Sequence, residues 1–154
     1  MDSGSHYLFV VGEQLGAEGK DIPSSEVFER LIRTRHWFLS QHTPFRNAYS
    51  AGDRALFYLA GAGHRHFAAV ATIAAGPLPI ARPEKELLSQ LGLYGYDLRL
   101  PLKHIRRFHK RVAMAALADR LEFIKDKRNY GLNLRQGAVR VSEKDFEFVL
   151  NQYA

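Results

Sequence analysis

The stretch RALFYLAGAGHRHFAAVATIA, residues 54–74, sets two apolar runs on either side of a glycine-rich bend. Runs this short, bounded by turn signals and rich in aromatic and β-branched residues, read as buried strands rather than helices. The Gly52-Asp53 pair just before them is a strong turn signal. A hairpin near the middle of the chain therefore places a sheet at the centre of the fold.

The flanking segments fill in around it. YLFVVGE (7–13) is an opening buried strand, and HWFLS (36–40) a short second one. Between them PSSEVFERLIRTR (23–35) predicts a helix. Ser24 or Ser25 is the expected cap, Glu26 sits in the first turn, and Val27/Leu31 and Phe28/Ile32 pair at i, i+4. Pro77, Pro79 and Pro83 mark a loop, and EKELLSQLG (84–92) a short helix stopped by glycine. YGYDLRLPLKHI (94–105) alternates as a strand, with Pro101 expected towards a sheet edge. VAMAALADRLEFI (112–124) has an alanine-rich helical half, and GLNLRQGAVRVS (131–142) is loop and strand. Ser142 and Asp145 give the start signature of a last helix, anchored by Phe146 and Val149. Strands and helices mix without strict alternation. The expectation is an α+β domain with a curved mixed sheet or small barrel, a single unit over 1–154 whose first six residues are flexible.

Composition removes whole classes of function. The chain has no cysteine, so a disulfide framework, a zinc-thiolate site and a cysteine nucleophile are excluded. That fits a reducing compartment, and the expected location is cytoplasmic. No apolar run approaches the roughly 18 residues of a membrane span. The first residues lack the basic region and cleavage site of a secretory signal. The P-loop, dinucleotide, zinc-protease and nucleophile-elbow motifs are all absent. A pair of histidines, His64 and His66, is the only enzyme signal, and two exposed turn histidines explain it as well. No catalytic residue, metal or cofactor is expected.

The net charge of +6 leans towards polyanions. KHIRRFHKR (103–111) concentrates it: Lys103, Arg106, Arg107, Lys110 and Arg111 surround Ile105 and Phe108. Such a cluster suits a phosphate backbone, and equally a solvated connector. Trp37 is the only tryptophan and has polar neighbours in Arg35, His36, Ser40 and His42. Tyr130 sits in the polar turn KRNYGLN. Both are placed like rings on which a base stacks, worth about 1–3 kcal/mol per base.

Four stretches in order resemble the EVE domain family, within the PUA-like superfamily and akin to the YTH domain. They are the opening strand YLFVVGE, the W-x-x-S segment HWFLS, the hairpin AGDRALFYLAGAGHRHFAAVATIA, and the closing LADRLEFIKDKRNYGLNLRQGAVRVSEKDFEFVL. The chain departs from the family at Val11-Gly12, where a polar pair often precedes the glutamate. It departs again at Tyr130 for tryptophan, Asp126 for asparagine and Ala69 for glycine. The resemblance implies a PUA-like barrel flanked by helices, with a pocket for a nucleobase, often a modified one. Trp37 would be the platform, Tyr58 and Tyr130 further walls, Ser40 a hydrogen-bonding partner and Asn133 a weaker one. Arg35, Arg65, Arg106, Arg107, Lys110 and Arg111 would meet phosphates.

The resulting expectation is a non-enzymatic monomer that reads a modified base, in DNA before RNA, with no membrane partner. Trp37→Ala would lose selective binding yet stay folded. Charge reversal at Arg106 and Arg107 would weaken binding to all sequences alike. The alternatives are a PUA-like module reading modified or structured RNA, an enzyme using His64 and His66, and a small-molecule or protein adaptor.

Overall fold

The computed structural model describes residues 4–16, 18–61, 63–126, 128, 134 and 137–153. Its elements are β1 (His6–Val11), the short β2 (Gln14–Leu15) and β3 (Asp21–Ile22), α1 (Ser24–Ile32), β4 (His36–Ser40), β5 (Arg54–Leu59), β6 (His66–Ile73), β7 (Leu78–Pro79), α2 (Arg82–Gln90), β8 (Tyr96–Arg107), β9 (Ala138–Val141) and α3 (Glu143–Asn151). Among the described residues no helix is long and apolar enough to cross a membrane.

The expected central hairpin is present as the antiparallel pair β5–β6. The main sheet runs β4-β8-β6-β5-β1-β9, with β7 added on β8. The pair β1–β5 is parallel, in register from His6↔Arg54 to Val11↔Leu59, and the other pairs of this sheet are antiparallel. This is the expected α+β architecture with a curled mixed sheet. β8 makes the curl: it pairs with β4 from Tyr96 to Pro101 and with β6 from Leu102 to Arg107. Pro101 therefore lies where an interior strand changes partner, not at the expected edge. It has no N–H to give a ladder. Its carbonyl accepts from Ala74 N at 2.8 Å, and the next amide, Leu102, donates to Arg35 O at 2.9 Å.

Side-chain alternation along the strands divides the interior in two. Tyr7, Phe9 and Val11 of β1 and Ala55, Phe57 and Leu59 of β5 face α1 and β4, joining Val27, Leu31, Trp37 and Leu39 in one core. Leu8, Leu56 and Tyr58 face the other way, into a core with Phe67, Met114, Leu117, Leu121, Phe146 and Val149.

Two expectations fail for identifiable reasons. Neither serine caps α1: Ser24 Oγ donates to Ala60 O at 2.7 Å, and Ser25 Oγ lies 3.1 Å from His64 Nε2. The alanine-rich segment 112–124 forms two 3-10 turns, Met114–Ala116 and Ala118–Arg120, instead of a helix. Phe123 N, which would continue a helix, donates instead to Asp145 Oδ2 at 3.0 Å. The last helix starts as expected, with Ser142 Oγ accepting from Asp145 N at 3.0 Å.

Gly92, just after α2, lies against the chain that follows β1. It has φ +74°, and a Cβ there would fall 2.0 Å from Leu15 O. Gly92→Ala should cost at least about 1–3 kcal/mol in backbone strain, plus the displacement of Leu15. Gly95→Ala isolates the strain, because Gly95 has φ +80° and open space where its Cβ would be. Urea denaturation should give Gly92→Ala the lower midpoint; equal midpoints would mean the Leu15 contact is not made.

Candidate functional site

Where β1 ends, a cavity of about 60 Å³ is lined by Val10, Val11, Gly12, Gln14, Val27, Leu31, Trp37, Phe38, Thr43, Leu93, Tyr96 and Gly137. Register puts it there. The parallel pair stops at Val11↔Leu59, leaving Gly12 and Gln14 past the sheet, and β4 brings Trp37 across from them. Among the described residues a Cβ at Gly12 would meet Gln14 Nε2 alone, at 4.0 Å.

Trp37 is 7% exposed and belongs to the core. Its ring stacks on Phe9 with centroids 5.6 Å apart and meets Phe57 edge-on at 5.0 Å. It is thus a packed core residue that also lines the cavity. The cavity has room for a few waters, but it is smaller than the roughly 150 Å³ that admits a benzene ring. A whole base enters only if part of the lining moves.

Ser40 does not line the cavity. Its Oγ accepts from His42 N at 3.2 Å and lies 3.2 Å from Thr43 Oγ1, and its N–H donates to Thr43 Oγ1 at 2.8 Å. The turn after β4 thus presents Thr43 to the cavity, with Ser40 behind it. Arg46 braces this turn with bonds to Ser40 O at 3.0 Å and to both Asp97 oxygens at 2.7 and 2.8 Å. The Arg46 hydrogen bond holds the Asp97 carboxyl below the usual carboxylate range.

Tyr58 is not a wall of this cavity. It is 2% exposed, in the other core, edge-on to Phe67 at 5.4 Å, because it alternates with Phe57 along β5. Tyr130 and Asn133 lie outside the described residues. Sequence reasoning missed Gln14, Thr43, Leu93 and Tyr96. Gln14 follows the strand whose end was already suspect at Val11-Gly12, which was the available signal. Tyr96 and Thr43 carried none, since each reads locally as ordinary strand or turn. Leu15 and Tyr94, the chain neighbours of lining residues Gln14 and Leu93, point out at 61% and 69% exposure.

The expected phosphate contacts divide. Arg35 and Arg107 line an open cleft of about 340 Å³ with Arg33, Lys103 and His104. Arg107, Lys110 and Arg111 line a second, of about 220 Å³. Both clefts lie along α1, which presents Ser25, Phe28, Glu29 and Ile32 to them and Val27 and Leu31 to the Trp37 cavity. Arg107 pairs with Glu29 at 3.0 and 3.2 Å. Arg106 does not join them: it alternates to the opposite face, over the Phe108 ring at 5.5 Å. Arg65, at the β5–β6 bend, lines neither cleft. Arg35, Arg65 and His104 all have positive φ, at 59°, 61° and 53°, a strain that clusters at functional sites. Among the described residues no three His, Asp or Glu side chains gather as a metal-ligand set.

The EVE domain model matches residues 31–152. No curated protein matches the sequence. Similar solved structures include human THYN1 in complex with DNA containing 5-methylcytosine, 17% identical, covering 97% of this chain and 98% of that one at a TM-score of 0.62. A hypothetical protein from Leishmania major is 12% identical over 97% and 94%, at 0.61. A mutant of the ZmASCH protein from Zymomonas mobilis is 8% identical over 97% and 99%, at 0.59. At these identities the likeness is one of fold.

Proposed function

This chain belongs to the EVE domain family, and on that premise we propose that it is a DNA-binding module that receives one extruded, modified base beside Trp37. The carrying observation is the cavity at the end of β1, with aromatic walls in Trp37 and Tyr96 and polar groups in Gln14 and Thr43. The THYN1 complex with methylated DNA supports the choice of partner. In this reading Trp37 is the fixed floor and Gln14 and Tyr96 yield to admit the base. Extrusion costs a few kcal/mol, which stacking and edge hydrogen bonds offset. Leu15 and Tyr94, exposed and next in sequence to lining residues, would meet the neighbouring bases.

Affinity comes from the other flank of α1. A helix is about 10–12 Å across, a distance covered by about three nucleotides at 3.4 Å each. A strand with one base in the cavity therefore brings a phosphate near Arg35 and Arg107.

The test follows Trp37 fluorescence during titration with matched DNA and RNA oligonucleotides, unmodified or carrying 5-methylcytosine, 5-hydroxymethylcytosine or N6-methyladenine. Early saturation with one modified DNA is expected. Tighter binding of the matched RNA would replace DNA by RNA as the partner, and equal binding without quenching would sink base recognition. Arg35→Gly removes a charge and also relieves the positive φ. It should weaken all ligands alike and lower the slope of log K against log salt by about 1.

A further inference from the structure

We infer that the 220 Å³ cleft between the N-terminal half of α1 and the ends of β6 and β8 is a binding site for a phosphate monoester, held by Lys110 and Arg111 over His66. The site does not depend on any base entering the Trp37 cavity, which lies on the other flank of α1.

Three elements converge on the cleft: α1 with Ser25, Phe28 and Glu29; the start of β6 with His66, Phe67 and Ala68; and the chain from Arg107 to Arg111. Arg107, Lys110 and Arg111 face one carboxylate, Glu29, which Arg107 already holds. Two positive charges are left over among these four side chains, matching the dianion of a phosphate monoester. Arg111 is fixed by donating to the Gly63 and His64 carbonyls. Its fork keeps further N–H groups for an oxygen ligand, the geometry in which Arg binds phosphate well. The volume equals roughly seven waters at 30 Å³ each, ample for the five heavy atoms of a phosphate. Phe28, Phe67 and Phe108 are among its apolar lining residues.

The imidazoles give the site its second property. His64 and His66 stack at 6.1 Å and 17°, and the Nδ1 of each is buried with no hydrogen-bond partner among the described residues. Burial pushes the His66 pKa down; the nearby His64 backbone opposes this, and the Arg111 and His64 charges add to it. The free site therefore holds His66 neutral at neutral pH. A bound dianion reverses the balance and His66 takes up a proton. The groups facing it are Arg111 and His64 beside it, Ser25 and Glu29 on α1, and Arg107, His109 and Lys110 at the end of β8.

Calorimetry on the whole chain at low salt uses inorganic phosphate, a nucleoside 5′-monophosphate, the bare nucleoside, and an oligonucleotide with or without a 5′-phosphate. The pH series uses sulfate, a constant dianion. Saturable binding of each phosphorylated probe and none of the nucleoside is expected, with sulfate affinity rising from pH 8 to pH 6. The imidazole NMR signal of His66 should titrate at higher pH with ligand bound. Lys110→Ala should weaken binding about tenfold, one charge-assisted hydrogen bond. His66→Gln should flatten the pH dependence, while His109→Gln leaves most of it. A gain in oligonucleotide affinity on adding the 5′-phosphate would assign the site to strand ends, and no gain would assign it to free phosphates. No saturable binding of inorganic phosphate or the nucleoside monophosphate, or an unchanged affinity for them in Lys110→Ala, would overturn the assignment.

Discussion

Replacing Trp37 by alanine is expected to destabilise the fold by roughly 3–5 kcal/mol, a large share of the about 5–15 kcal/mol that holds a whole domain folded. The ring is 7% exposed and fills the space between Phe9 and Phe57. Removing it enlarges the adjoining cavity and strips both neighbours of their contact. This reverses the expectation, drawn from the polar residues around Trp37, that the variant would stay folded. Those polar side chains flank a strand whose own side chains at Trp37, Phe38 and Leu39 are buried. Far-UV circular dichroism against urea is the measurement, since the variant lacks the fluorophore. A midpoint unchanged from the parent would show that the ring contributes little to the core and serves chiefly as a platform. Trp37→Phe keeps a ring against Phe9 and is the variant for binding studies.

How much of this was legible depends on the range of the interaction. The β5–β6 hairpin, HWFLS as a strand and the Ser142 cap depend on neighbours in sequence, and all were readable. The segment 112–124 reads as half helical from its alanines, and its buried residues Met114, Leu117, Ala118 and Leu121 even recur at helical spacing. What decides against a helix is Asp145, 22 residues from the amide it captures. The site shows the same divide. Parity along β5 separates Phe57 from Tyr58, but only the assembled sheet shows that the cavity lies on the other side from Tyr58. Arg106 and Arg107 are adjacent in sequence and opposed in space for the same reason. Gln14, Thr43, Leu93 and Tyr96 come from separate loops and strands and meet only through the curl of β8.

Asp53→Ala should be nearly as damaging, at roughly 3 kcal/mol, since hydrogen bonds to charged groups contribute about 1.5–3 kcal/mol each. Its carboxylate is 3% exposed and accepts from Ser5 N at 2.9 Å and Ser50 N at 3.0 Å. Its own backbone joins in: Asp53 N donates to Ser50 O at 3.1 Å, and Asp53 O accepts from Ile73 N at 2.7 Å. The side chain thus ties the residue before β1 to the turn before β5, and the backbone of the same residue ties that turn to the end of β6, next to His6↔Arg54 where the parallel pair begins. The Gly-Asp signal therefore has a structural origin. Asp53→Asn keeps one acceptor and should recover part of the loss. Denaturation midpoints give the size of the effect, and hydrogen exchange at the Ser5 and Ser50 amides gives its place. The cavity lies at the far end of the same β1–β5 ladder, at Val11↔Leu59, so folded Asp53→Ala should keep its preference among modified bases. A variant that stays as stable as the parent but loses that preference would move Asp53 from the framework to the binding site.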